Sequence, residues 1–299
     1  MFYTPVHFEE SAFGPGWAWS DYNDYYQAER SPLPVYGNIV RFTPGTKKPK
    51  AKPRYWERSL IADTSAAGIQ REQFQNLFHY SDRTPSKSAQ DVPVHMSDLL
   101  AIDLLNDTLK KEIKLISIPL TIELQTVYSI PSDSLYYRMM QVSDNMLAEQ
   151  LMLMYASVKG LPLNSDKAIK HAIENYINDL PDKPVWKDGS GLSRYNLFTP
   201  RSIVALLQKI HDKIPENRLY KILPNGGATG SLKSMFKGEK PFIFAKTGSL
   251  SNTYNLSGYL ITKKGKTLMF SFMNNNYTRP TAEVKKEMER ILTGIHNRF

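Results

Sequence analysis

A lysine, a threonine and a glycine stand together at Lys246-Thr247-Gly248, closing an apolar run that begins at Phe242. If that run is a strand, a cation and a hydroxyl sit at the rim of a sheet, and Gly248 leaves room for another backbone alongside. Such a pair could hold the terminal carboxylate of an extended peptide laid along the strand edge. Two further clusters precede it, Ser143-Asp144-Asn145 and Asp188-Gly189-Ser190-Gly191-Leu192-Ser193. Taken singly, each of the three has a plain structural reading. Lys-Thr-Gly is a strand end followed by a turn. Ser-Asp-Asn is a helix N-cap ahead of a periodic apolar run. The Asp-Gly-Ser-Gly stretch is a tight loop whose glycines supply positive φ. The case for chemistry is their order and setting: helix start, loop and edge strand, within one chain.

The elements that must position these residues fall in the second part of the chain. Leu147, Leu151, Met154 and Val158 recur at helical spacing directly after Asn145. Thr199-Pro200 is a capping hydroxyl followed by proline at the first helical position, leading into Ile203, Leu206, Leu207 and Ile210. Three strands are predicted over residues 242–247, 254–262 and 266–273, with Lys263-Lys264-Gly265 as the hairpin between the last two. Val284, Met288, Ile291, Leu292 and Ile295 predict a closing amphipathic helix. Residues 131–299 therefore read as an α+β domain, an antiparallel sheet with helices on its faces.

Residues 1–130 read as a β-rich region of short strands and loops. Phe13-Gly14-Pro15-Gly16-Trp17-Ala18-Trp19 is aromatic and turn-rich, and residues 35–42 predict a strand. Residues 113–127 predict one or two strands broken at Pro119, and Leu99, Leu100, Leu104 and Leu105 hint at a helix. No internal repeat is present.

A chain of 299 residues with 41% hydrophobic content can bury one large core or two ordinary ones. It has no cysteine, which excludes disulfides and thiolate metal sites, and neither a metal nor a cofactor is expected. The apolar stretch at residues 113–124 contains Lys114, Thr121 and Glu123, too polar and short for a transmembrane segment. Met1 is followed by Phe2, Tyr3, Thr4 and Pro5, with Glu9 and Glu10 soon after, so no signal peptide is expected. The net charge of +9 favours acidic partners. Part of it lies at Lys47, Lys48, Lys50, Lys52, Arg54 and Arg58, which read as a solvated Pro/Lys loop. No nucleic-acid module surrounds them, and no nucleic acid is expected as partner.

The three clusters and their flanks resemble the serine D-alanyl-D-alanine carboxypeptidases of the low-molecular-mass class C penicillin-binding proteins, the type-4 family. The likeness runs from Ser132 through Glu149, through residues 188–196, through Gly230-Ser231-Leu232-Lys233, and from Ala245 through Tyr259. Trp17-Ala18-Trp19-Ser20-Asp21 with Tyr25-Tyr26 resembles the family's region ahead of its inserted domains. The resemblance implies a β-lactamase/transpeptidase-like fold carrying a β-rich insertion, here incomplete, and a periplasmic or cell-envelope location. It also implies attack by a serine on the bond between two D-alanines of a peptidoglycan stem peptide. The resulting acyl-enzyme is resolved by water, and β-lactams mimic the substrate. By the same resemblance Ser143 relays the proton to the leaving amine and Asn145 orients the substrate amide. Lys246 supplies positive potential and Thr247 binds the carboxylate. The Ser249 N–H is an oxyanion donor. Gly248, Asp188 and Ser190 complete the substrate-binding set.

One signature of the family is missing. A Ser-x-x-Lys at the start of a helix puts the base one turn from the nucleophile. The formal match here, Ser234-Met235-Phe236-Lys237, stands in the wrong order relative to the other motifs and is ended at once by Gly238. Thr84-Pro85-Ser86-Lys87 and Thr108-Leu109-Lys110-Lys111 have the spacing with threonine. The nucleophile is thus expected to lie outside the chain. A late start codon, a gene fragment or an engineered truncation, with the sequence starting inside the family's inserted region, would account for this.

Three other readings are open, one of them a basic nucleic-acid or wall-polymer binder suggested by the net charge alone. A non-catalytic peptide-binding or muropeptide-binding module of the same fold fits the missing nucleophile, but binding alone has no use for a proton-relaying set. A relative of class A β-lactamases would be smaller and would carry a Glu-x-x-Leu-Asn loop, which Glu174-Asn175-Tyr176-Ile177-Asn178 matches poorly.

Overall fold

A computed structural model of the chain describes residues 1–5, 8–83, 87–117, 125 and 127–299. Its contacts divide the chain into two compact units. One comprises residues 1–126 with Glu149–Ala168, the other Val127–Ala148 with Ile169–Phe299.

The first unit is built from short strands. β1 (Phe2–Tyr3) pairs in parallel with β8 (Lys114–Leu115). β2 (Ile39–Thr43) is the middle strand of a sheet ordered β3-β2-β7, with β3 at Lys50–Lys52 and β7 at Gln90–Pro93. A second sheet has the order β4-β6-β5, from Leu60–Ala62, Phe78–Tyr80 and Ile69–Arg71. Inward positions of both sheets form one core. The rings of Phe42 and Phe78 meet at 5.0 Å, and Trp56 meets Phe78 edge-on at 5.6 Å, with Val40, Ala51, Ile69 and Val92 around them. α1 (Asp98–Leu109) adds Ala101 and Leu104 to that core. It starts where the Ser97 hydroxyl accepts from the Leu100 N–H, and it ends at Lys110 in the left-handed region.

The strand expected over residues 35–42 begins only at Ile39. Tyr36, Gly37 and Asn38 all take positive φ and form a 3-10 turn. The buried Asn38 side chain fixes it, accepting from the Val35 N–H and donating to the Glu29 carbonyl and Ser31 Oγ. The aromatic stretch before it also forms short 3-10 turns, Trp19–Asn23 and Tyr25–Gln27. The strands predicted around Pro119, beyond Lys114–Leu115, fall mostly outside the described residues, as do three of the four residues of Thr84-Pro85-Ser86-Lys87.

Arg30 forms the buried polar centre of this unit. Its guanidinium donates to the carbonyls of Ser11 and Phe13 and to Ser165 Oγ. It also lies 2.8 Å from a Glu10 oxygen and 3.6 Å from Glu149. The arginine side chain is 2% exposed and Glu149 1%. Removing one member of such a cluster leaves charges buried without compensation, which costs about 3–5 kcal/mol. Arg30→Ala is therefore expected to unfold the first unit well before the second in a denaturant titration. Two coincident transitions at wild-type positions would contradict this.

The second unit carries most of the helices. α2 (Ser132–Val142) is followed by α3 (Asn145–Val158), whose first turn belongs to this unit. α4 (Ser165–Tyr176), part of this unit from Ile169 on, α5 (Pro200–Lys213) and α6 (Glu216–Ile222) come next. β9 (Ile243–Leu250), β10 (Thr253–Ile261) and β11 (Thr267–Asn275) form an antiparallel sheet ordered β11-β10-β9, and α7 (Thr281–Arg298) closes the chain. Alternation along the strands sorts the two faces. Ile243, Ala245, Tyr254, Leu256 and Leu260 meet Val284, Met288 and Leu292 of α7. Phe244 and Tyr259 point the other way, toward Leu207, Ile210, Leu219, Leu223 and Met140. Each buried side chain of this size contributes about 1.5–3 kcal/mol, so the sheet is clamped on both sides.

The cap read at Thr199 is formed as expected. Its hydroxyl accepts from the Ser202 N–H, and Pro200 opens α5. Gly258 lets β9 and β10 approach. A Cβ there would lie 2.2 Å from the Phe244 carbonyl oxygen. No helix among the described residues is long and apolar enough to cross a membrane.

Candidate active site

The site assembles in the second unit, at the junction of α2, α3 and β9. α2 ends as a Schellman-type turn. Ser143 takes φ 56°, ψ 54°, and the Asp144 N–H reaches back to the Met139 carbonyl. Asp144 then caps α3, its side chain accepting from the Leu147 N–H at 3.1 Å. The cap of α3 is thus Asp144, while Ser143 belongs to the end of the preceding helix. A serine at positive φ is strained, a state that persists where the surroundings over-determine it and that clusters at functional sites. Asn145 follows at the first position of α3.

β9 brings the cation. The expectation that Lys246-Thr247-Gly248 ends a strand needs correction: β9 runs on to Leu250. The reason is the turn beyond it, where Asn252 at φ 60° lets Leu250 pair with Thr253. Lys246 is therefore mid-strand, opposite Ser257. Its Nζ donates to Ser143 Oγ at 2.7 Å and to the Thr247 carbonyl at 2.6 Å. Both acceptors are neutral, and among the described residues no carboxylate is paired with it. Loss of hydration lowers the Lys246 ammonium from the ordinary 10.5 to about 8. The result is a half-buried cation with no counter-ion among the described residues, still protonated at neutral pH.

Thr247 Oγ1 donates to Ser231 Oγ at 2.9 Å. Ser231 stands outside the three sequence clusters, in the Gly230-Ser231-Leu232-Lys233 stretch that also carries the family resemblance. It sits in a 3-10 turn, Gly230–Leu232, packed against the end of α2. A Cβ at Gly230 would lie 2.6 Å from Gln141 Oε1 and 2.8 Å from the Gln141 carbonyl oxygen, and φ there is +58°. Gln141 is itself buried, donating to the carbonyls of Ile222 and Leu223. Gly230→Ala is expected to cost more than about 1 kcal/mol and to displace Ser231 from Thr247. A lowered thermal midpoint would be the signature, with Gly230→Asn affected at least as much, because its Cβ meets the same Gln141 oxygens.

Between α2 and this turn lies an open cavity of about 530 Å³ lined by Tyr137, Arg138, Gln141, Val142, Thr229, Gly230, Ser231 and Lys233. The edge of β9 that faces away from β10 is paired only in its first half. The Gly226 N–H donates to the Ile243 carbonyl, and the Ala245 N–H to the Pro224 carbonyl. From Lys246 onward no strand among the described residues pairs with that edge. Gly248 adds no side chain there, and a Cβ on it would meet only Asn255, at 4.0 Å. The Ser249 N–H belongs to this same stretch.

The Asp188 loop behaves differently. One carboxylate oxygen of Asp188 accepts from the Gly191 N–H and Asn196 Nδ2, and the other from the Ser193 N–H. Trp186 Nε1 donates to the Asp188 carbonyl at 2.6 Å. Asp188 is 2% exposed, so its carboxylate builds its own loop rather than offering itself to a ligand. Ser190 Oγ accepts from the Leu192 N–H at 3.4 Å. The geometry thus brings Ser143, Lys246 and Thr247 together with Ser231, and places Asp188 in a supporting role.

Neither Ser234 to Lys237 nor Thr108 to Lys111 offers the required helical start. Ser234 and Lys237 are exposed on either side of Met235 and Phe236, which are buried in the α7 core, and Phe236 takes φ 56°. Thr108 sits at the end of α1 and donates to the Leu104 carbonyl.

A model of the D-Ala-D-Ala carboxypeptidase 3 (S13) family matches residues 6–296. The D-alanyl-D-alanine carboxypeptidase DacB of Haemophilus influenzae is 28% identical over 166 residues, 52% of this chain and 34% of that protein. The penicillin-sensitive carboxypeptidase A of Dictyostelium discoideum is 24% identical over 174 residues, 54% of this chain and 33% of the relative. The matched stretch thus spans about a third of each curated relative. Penicillin-binding protein 4 (dacB) from Haemophilus influenzae superposes with a TM-score of 0.75 at 19% identity, covering 97% of this chain and 73% of the crystal structure. The fold is therefore the α+β one of that protein, a β-lactamase/transpeptidase-like sheet with helices on its faces and a β-rich additional region.

Proposed function

Because the chain belongs to the D-Ala-D-Ala carboxypeptidase 3 (S13) family, we propose that its cleft binds the carboxylate end of peptidoglycan stem peptides terminating in D-Ala-D-Ala. It would serve serine-type carboxypeptidase chemistry, endopeptidase cleavage included, with β-lactams entering as mimics of the same peptide end. The observation that carries the reading is Lys246. It is a half-buried ammonium whose two bonds go to neutral oxygens, 2.7 Å from Ser143 Oγ, beside a strand edge that no described strand pairs.

In that reaction a serine oxygen attacks the carbonyl carbon between the two D-alanines. The C–N bond breaks, the terminal D-alanine leaves as an amine, and water later hydrolyses the ester. Ser143, whose Oγ accepts from the Lys246 ammonium, would pass the proton to the leaving nitrogen. Thr247, oriented by Ser231, would meet the terminal carboxylate, and Lys246 would supply its counter-charge. Asn145 would orient the substrate amide, and the Ser249 N–H would stabilise the developing oxyanion. Residues 131–299 would be the catalytic portion and residues 1–130 the inserted β-rich region, working in the periplasm or cell envelope.

An N-acylated L-Lys-D-Ala-D-Ala peptide, titrated calorimetrically, should bind the chain, while its C-terminal amide should bind at least about tenfold more weakly. Equal affinity for acid and amide would remove the carboxylate site. A second reading, a peptide receptor without chemistry, draws on the exposed, non-helical setting of Ser234 and Lys237. It predicts the same binding with no turnover.

A further inference from the structure

Residues 47–58 carry six cations and one carboxylate, more than half of the chain's net +9. Composition alone makes this a solvated loop. The fold makes it an ordered ridge. Ala51 faces the core beside its partner Phe42, and Trp56 is 2% exposed. The backbone is therefore held at both points. With Ala51 turned inward, Lys50 and Lys52 face out from β3, the edge strand of its sheet.

The pairing across that outer face is costly. Lys52 stands directly opposite Arg41, and like charges in that relation destabilise a sheet. The acid in the same row, Asp91, is consumed by Arg41 through two bonds of 2.7 and 2.6 Å. Lys50 faces Thr43. The single carboxylate of the stretch, Glu57, lies 4.0 Å from Arg54. The hairpin tip between β2 and β3 adds Lys47 and Lys48, and Arg58 lies over the Tyr55 ring at 3.9 Å. A protein that needed only solubility here would have interspersed acids.

We propose that this ridge docks a flexible polyanion, a polymer of polyol or sugar units joined by phosphodiesters. The charge complementarity is direct. Alternate strand residues put the Cα atoms of Lys50 and Lys52 roughly 7 Å apart along the edge, so their flexible side chains can reach successive phosphates without requiring a rigid duplex. The stretch offers no free aromatic face on which bases could stack, since Trp56 is buried and Tyr55 is covered by Arg58. It offers no exposed apolar wedge of the kind that anchors a protein in a bilayer. Such docking would hold the chain beside an anionic wall polymer, independently of what the Lys246 cleft binds.

The test uses the full 299-residue chain and end-labelled poly(glycerol phosphate), titrated from about 50 to about 200 mM salt. Binding that weakens steeply with salt is expected. Lys50→Glu with Lys52→Glu should weaken it at least about tenfold and flatten the salt dependence by roughly two counter-ions. Lys50→Gln with Lys52→Gln, which adds no repulsion toward the polymer, should weaken binding in the same direction. Polymer affinity unchanged in both pairs would overturn the proposal. So would tighter binding of a thymidine oligonucleotide or of phosphatidylglycerol vesicles, outcomes that would assign the ridge to nucleic acid or to membrane.

Discussion

Incubated with a fluorescent penicillin and then denatured, the 299-residue chain is expected to carry no covalent label. Acylation needs a nucleophilic oxygen and a base one helical turn away, both facing the cleft. The chain's one Ser-x-x-Lys, Ser234 to Lys237, is not on a helix. Phe236 breaks the turn in the left-handed region and drives its own ring and Met235 into the core under α7. Ser234 and Lys237 are left exposed without the mutual geometry of a nucleophile and its base. The nucleophile's own N–H also normally supplies one of two oxyanion donors, and a single such donor is worth about 10²–10³ in rate. The loss is therefore all-or-none on the time of an assay. Stoichiometric label would sink this prediction, and peptide mapping would then show whether Ser234 carries it.

Reversible binding is expected to survive and to depend on Lys246. Replacing it in Lys246→Met removes a hydrogen bond to a charged group, worth about 1.5–3 kcal/mol, so affinity for a D-Ala-D-Ala carboxylate should fall roughly 10- to 100-fold. The pH dependence is more specific. Burial lowers the Lys246 ammonium to about 8, so affinity should be flat below that value. Above it, affinity should drop by about tenfold per pH unit as the cation is lost. Stability moves in the opposite sense. Between about pH 8 and the ordinary 10.5 the unfolded chain holds the Lys246 proton and the folded chain has released it. The unfolded state then binds more protons, and this residue's contribution to stability rises with pH across that window. In Lys246→Met both trends should vanish. A variant that keeps the alkaline loss of affinity would show that another group titrates.

Several of these features were legible in the residues. Thr199-Pro200 announces α5 because capping chemistry is local. The last three strands and α7 follow from alternation and helical spacing, which tertiary packing reinforces on both sheet faces. What stayed hidden depends on partners distant in sequence. The strand at Lys246 overruns its expected end because Asn252, not Gly248, makes the turn. The strand expected from Val35 is delayed by the buried Asn38, whose bonds to Glu29 and Ser31 no local propensity encodes. The family resemblance puts Asp188 in the substrate-binding set, and three donors of its own loop bond to its oxygens. Ser231 gains its role only when Gly230 lets its turn press against Gln141 of α2.

Ser143 also bears on how this chain can evolve. Its hydroxyl meets Lys246 because the residue is held at φ 56°, where glycine or asparagine would be more comfortable than serine. Drift toward a more robust fold would therefore pull this position away from serine, and only selection on the chemistry of the cleft can oppose it. The serine is a point where heritable stability and heritable activity are in direct competition, set by one backbone angle between two helices.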